Sequence, residues 1–410
     1  MRTMMLSTMW LALAASTLGA CKWTEFDDIQ NSTWVDSTQK PNVKSTDYGI
    51  AVQRGVRSGD GGRLVVIGAG EASYSELVYS AKGEASFPAT AIGLKEMYNI
   101  PNISQQPVLL ADPSSDDISL IVGSDNGIVV LTGTMGTLKL YQLFNQAQPD
   151  AATYMLAPTR AQPFPLVGVG ENVLGALLPA LPNNVPQPTC KLVDSATAGF
   201  KAQVRALGVV RPAGMTTDDV LVWDAGGKLY RYPSSVFNGC ATQEPLGSFD
   251  TTFKPDQGSQ ILSIDATHVL LQGHSGDTGY LRVFDVSSAN PAPVGAANMV
   301  AKIRTAALLV AGPTTFVAAG IPTALAGGTT AGQVVLFKVS TTGTGVDAAP
   351  SATFNDAQPE SNQSFGRGVA AMPFNGKQVL AVAADNEIFV YFRANLTDGT
   401  ALYDETRQGP

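Results

Sequence analysis

Two imidazoles are available for acid–base or metal chemistry, His268 and His274. They stand six residues apart on a segment that reads as a strand running into a turn, with Asp265 and Asp277 close by. Such a cluster of nitrogen and carboxylate donors could hold a divalent cation. His268 is followed by Val269, Leu270 and Leu271, however, which favours a strand histidine held by one hydrogen bond. Two acid pairs, Asp116 with Asp117 and Asp218 with Asp219, precede apolar runs. Neighbours on a strand point to opposite faces, so neither pair makes a general acid and base, and both read as solvated loop charges. Trp223, Tyr230 and Tyr232, and Tyr391 with Phe392, offer ring faces to a ligand, but rings also fill sheet cores, and core is the favoured reading. No G-x-S-x-G elbow, Walker loop, C-x-x-C or H-E-x-x-H is present. Gly68-Ala69-Gly70 follows a strand-like run but lacks the third glycine and the helix of a dinucleotide loop. The reading is therefore non-enzymatic, with no catalytic residue assigned.

The elements that carry these residues are short β-rich runs joined by turns. Only 15% of the 410 residues are charged, and 41 glycines and 25 prolines are spread along the chain, a composition of many strands and reversals. Residues 365–393 show the unit most clearly. A glycine-flanked apolar run leads to Asn375-Gly376, which suits a tight hairpin, and two further β-rich runs follow around the break at Asp385-Asn386. Each run is too short to bury a face alone, so the unit must stack on copies of itself. Copies read at 48–80, 118–144, 165–194, 204–233, 261–286 and 304–339, the third interrupted by prolines. Tyr230, Val283, Phe337 and Tyr391 occupy equivalent positions at spacings of 53, 54 and 54 residues. A period near 50 with about four short strands predicts an all-β chain, a β-propeller of about seven four-stranded blades spanning residues 48–396, with 397–410 as a tail. Strands such as that near 332–339 read as alternating apolar and polar.

Residues 1–20 read as a cleaved targeting segment, with Arg2 ahead of a short apolar stretch and small residues. Leu18-Gly19-Ala20-Cys21 resembles the lipobox of bacterial lipoproteins. That resemblance implies acylation at Cys21, anchoring to a lipid bilayer without spanning it, and, with Lys22 next, delivery to the outer membrane of the envelope, on its periplasmic or surface face. Residues 21–47 would be a polar tether, in which residues 33–35 could alternatively pair with the last repeat as a closing strand. With Cys21 given to lipid, Cys190 and Cys240 remain, and an oxidising compartment favours a disulfide between them. The net charge of −8 becomes one more negative once Arg2 is lost, which argues against nucleic acid as a partner.

Phe365-Gly366, with its following glycine, apolar strand and Asn-Gly turn, resembles the FG-GAP repeat of integrin-alpha-like propellers. Tyr48-Gly49 with Gly59-Asp60-Gly61-Gly62 looks like a second copy. The other five units keep the strand rhythm without the dipeptide. Many units of that family hold calcium in an acid-rich loop, but here the matching places offer about one carboxylate each, against six to eight oxygens for a full site. Asp60 is the one candidate, and calcium is not carried over. The resemblance implies adhesion or recognition of a protein or glycan ligand. Two alternatives differ in class. One is a periplasm-facing scaffold similar to the propeller lipoprotein of the outer-membrane β-barrel assembly machinery. The other is a glycan-active propeller enzyme using facing carboxylates.

Overall fold

The computed structural model describes strand backbones between Thr33 and Arg393. Side chains are described for residues 191–194, 204–211, 218–236, 242–256, 258–310, 313–326, 328–355, 364–371 and 380–384. Cys21 and Asp60 lie outside the described residues. Among the described residues there is no α-helix, and the strands gather into seven sheets. Each sequence unit contributes its strands to one sheet, and the pairing is antiparallel in all but one ladder between strands.

In the best-described part the plan repeats without crossovers. Val204–Val210, Asp219–Asp224, Lys228–Tyr232 and Gly247–Asp250 form the fourth sheet in that order. Gln260–Ser263, His268–Ser275, Thr278–Asp285 and Ala292–Ala301 form the fifth. Thr305–Ala311, Thr314–Ile321, Gln333–Val339 and Ala352–Phe354 form the sixth. Gly368–Phe374, Lys377–Ala383 and Ile388–Arg393 form three strands of the seventh. The fourth strand of the seventh sheet is Thr33–Val35, with Trp34 opposite Phe389. Of the two readings open for residues 33–35, the closing strand is therefore the one adopted, and the tether cannot run unbroken to residue 47. The first strands of sheets four to seven contact one another in succession, and Gly368–Phe374 also contacts Tyr48–Gln53 of the first sheet.

Burial explains this stacking. Along Thr314–Ile321 and Gln333–Val339, one set of residues (Ala318, Val334, Leu336) packs against Phe365, Val369, Leu380 and Val382 of the seventh sheet. The intervening set (Val317, Ala319, Val335, Phe337) packs against Leu270, Leu281 and Val283 of the fifth. The sixth sheet is thus buried on both faces. This corrects the alternating reading near 332–339, where Lys338 is the one exposed side chain of the strand. A sheet covered on both sides must be apolar on both sides. Each fully buried side chain of this size contributes roughly 1.5–3 kcal/mol, so a sheet is stable only between its neighbours.

Phe365-Gly366 has a structural role at this seam. Phe365 is fully buried in the core shared by sheets six and seven. Gly366 has φ +88 and donates its N–H to the Ala383 carbonyl at 3.1 Å, while its own carbonyl lies where a side chain on Gly320 would stand. A left-handed backbone at such close approach demands glycine.

Candidate binding face

Each of the sheets four to six has two ends. One carries the connections between sheets and the turns between second and third strands. The other carries the first-to-second and third-to-fourth strand turns.

The second of these ends is occupied by charges engaged with one another. Arg211 Nε meets Asp218 Oδ1 at 2.7 Å. Arg231, buried to 4% exposure, donates to Asp219 Oδ2 at 2.8 Å, to the Val286 carbonyl at 2.6 Å and to the Ser288 carbonyl. It thereby ties the fourth sheet to the fifth. Asp218 and Asp219 take different partners, and both are buried and paired, not solvated as the sequence suggested. Their burial is possible because arginines meet them across the ladder. The missed signal was register: a hairpin turning at Gly226-Gly227 sets Leu221 opposite Arg231, two residues along from Asp219.

At this same end Asp265 accepts N–H bonds from Thr267 at 2.7 Å and His268 at 2.8 Å, and its carboxylate meets the His268 ring at 3.0 Å. Burial opposes the Asp265 charge, but these donors outweigh it and hold its pKa below the usual carboxylate range. The hydroxyl and N–H of Ser287 likewise hold Asp285 low. His268 is thus a strand histidine with a carboxylate partner, and His274 sits at the other end of the same strand. Six residues of strand separate them by roughly 20 Å, so the two do not share a site. Among the described residues no three His, Cys, Asp or Glu side chains gather as metal ligands.

The first end carries an ion pair as well, Lys228 Nζ to Asp194 Oδ2 at 2.9 Å. The connection from Thr251 to Ser259 is pinned between sheets: Phe253 stacks on Tyr280 at 4.6 Å and lies 6.2 Å from Trp223, all within one core. Thr251 Oγ1 donates to the Gly227 carbonyl at 2.6 Å and accepts from Trp223 Nε1 at 3.3 Å. Trp223, Tyr230 and Tyr232 are all buried, as their core reading required. Next along the connection, Asp256 takes the Gly276 N–H at 3.0 Å, and its own N–H bonds the His274 carbonyl at 2.7 Å. The His274 ring is buried, with no hydrogen-bond partner at Nδ1. Burial first, then Lys302 and Arg304 against the pull of Asp256, hold its pKa below the ordinary histidine value. Arg304 donates its N–H to Gly320 at the root of the long turn 322–332, where Leu325 is 65% exposed.

Backbone strain collects here too. Among the described residues, the two non-glycine residues with positive φ, Thr252 (φ 60) and Ser364 (φ 56), both lie in connections at this end. Such residues cost of order 1–3 kcal/mol and concentrate where a surface has a task. Lys302, Arg304 and the exposed Leu325 all lie in loops at this end, and basic and apolar groups on anchored loops can recognise a ligand.

Cys190 and Cys240 fall opposite each other in the register of neighbouring strands. Tyr391 and Phe392 lie on Ile388–Arg393, whose side chains are outside the described residues.

No family model matches the chain, and no curated protein matches it. Among solved structures, a chain of the crystal structure of BBS1N in complex with ARL6DN, soaked with mercury, aligns with a TM-score of 0.54 at 11% identity. The alignment covers 90% of this chain and 99% of that one. That neighbour is a β-propeller, and at this identity the likeness concerns the fold.

Proposed function

We propose that the chain is a lipid-anchored binding protein whose seven sheets close into a propeller and present one end to a protein or glycan ligand without catalysing a reaction. The observation that carries the reading is what gathers at the end formed by the inter-sheet connections. It holds Lys302, Arg304, the 65%-exposed Leu325 and, among the described residues, both non-glycine residues with positive φ. Loops on a rigid scaffold are where such folds bind. The propeller likeness supports this architecture, and that neighbour was solved with a protein partner. Closure is supported by Thr33–Val35 completing the last sheet and by the run of contacts among first strands. The lipobox at Cys21, with Lys22 next to it, supports placement on the outer membrane, on its periplasmic or surface face.

Trypsin treatment of intact cells tests the placement. Lys22 offers a cleavage site ahead of Thr33–Val35, the first strand to join a sheet, and the expected result is release of a resistant domain before any permeabilisation. Release only after the envelope is opened would contradict surface recognition and favour a scaffold facing the periplasm.

A further inference from the structure

We infer that Cys190 and Cys240 are joined by a disulfide that fastens a strand of the fourth unit onto the third sheet. The third sheet is built from short pieces, Leu156–Ala157, Leu166–Val169, Val173–Ala176 and Thr189–Leu192. Its fifth strand, Cys240–Gln243, comes from elsewhere: it lies in the chain between the third and fourth strands of the fourth sheet. The chain leaves Lys228–Tyr232, makes a 3-10 turn at Ser234–Asn238, and lays Cys240–Gln243 parallel to Thr189–Leu192 before returning to its own sheet at Gly247–Asp250.

The ladder sets Cys190 opposite Cys240 and then, past a register shift that skips Ala241, Lys191 opposite Thr242 and Leu192 opposite Gln243. Adjacent strands run about 4.7–4.9 Å apart, inside the 4.4–6.8 Å span of Cα atoms that a disulfide bridges. Opposed residues of a parallel pair project to the same side of the sheet. The two cysteines open the ladder. Its far end is held by Val193 N–H to the Gln243 carbonyl at 3.0 Å, by Tyr232 Oη to the Val193 carbonyl at 3.3 Å and by Lys228 Nζ to Asp194 at 2.9 Å. A short parallel ladder anchored at one end frays from the other, and the bond stands at the fraying end. It also closes a loop that holds the first three strands of the fourth sheet, so sheets three and four gain a second covalent link beside the chain itself.

Formation is a thiol–disulfide exchange. One cysteine thiolate attacks a sulfur of glutathione disulfide, forming a mixed disulfide and expelling one glutathione thiolate. The second cysteine thiolate attacks the protein sulfur of that mixed disulfide and expels the other glutathione thiolate; the two thiolates take up the protons the cysteines lost, so two electrons pass to the oxidant. The geometry is independent of the function proposed above, and the persistence of the bond in cells rests on the exported location in that proposal.

The test uses the full chain carrying Cys21→Ser, which leaves two thiols. It is equilibrated with glutathione buffers of graded ratio, alkylated and mapped by mass spectrometry, with amide exchange measured alongside. The expected result is one Cys190–Cys240 cross-linked peptide pair, and exchange in residues 240–243 that rises roughly tenfold on reduction while residues 292–301 stay unchanged. Thiols that remain open to alkylation at the most oxidising ratio, cross-links between chains only, or exchange unaffected by reduction would overturn the inference. A bond that forms in buffer but is absent from protein taken from cells would uphold the cross-link and contradict the exported location.

Discussion

Arg231 concentrates more of the stability of the described region than its position in a polar-looking strand would suggest. It is a buried cation shared between the Asp219 carboxylate and two carbonyls of the neighbouring sheet. Arg231→Ala leaves Asp219 buried without its cation, a change that costs about 3–5 kcal/mol, and the unfolding midpoint in urea should fall accordingly. Arg231→Ala with Asp219→Leu should recover part of that loss, because no orphan charge remains. His274 acts in another pH window. Its folded pKa lies below the value of about 6.5 for a free imidazole, so the unfolded chain takes up a proton that the folded chain refuses. Stability is then full above that value and is lost as pH falls through it, whereas Asp265, with its lowered pKa, loses its contribution only on acidification through the carboxylate range. Unfolding midpoints measured from about pH 7.5 to 5.5 should decline, and His274→Asn should flatten that decline. Equal slopes in both proteins would remove His274 from the account.

At the scale of elements, hairpins were legible and exchanges between units were not. Gly368–Phe374 and Lys377–Ala383 pair with Phe374 opposite Lys377, the register expected from a reversal in the sequence between them. The equivalence of Tyr230, Val283, Phe337 and Tyr391 likewise corresponds to the third strand of four successive sheets. By contrast, Cys240–Gln243 has no periodicity of its own, and its partner lies some 50 residues back, so pattern could not assign it to the third sheet. The candidate face was not legible for a similar reason. Lys302, Arg304 and Leu325 are unremarkable singly and gain meaning only when sheets five and six set them at one end. Thr33–Val35 stood between two readings because its partner is at the far end of the chain. Removing residues 1–36 should expose the edge of Ile388–Arg393, raising amide exchange there with little change in Ala292–Ala301. Unchanged exchange would mean that the seventh sheet does not depend on its N-terminal strand.

Across the whole molecule, sheets apolar on both faces need neighbours on both sides, and the described chain supplies them from the fourth sheet to the seventh and on to the first. That demand accounts for the long run of units, and the ends of the sheets remain free for recognition. The most direct test compares the two ends of a single sheet in living cells. A photo-reactive amino acid replaces Leu325 in one strain and Thr342, exposed at the opposite end of the sixth sheet, in another. Irradiation should give a defined covalent adduct from position 325 and none from position 342. Adducts from position 342 alone, or in equal yield from both, would contradict a binding protein that recognises its ligand through the end formed by the inter-sheet connections.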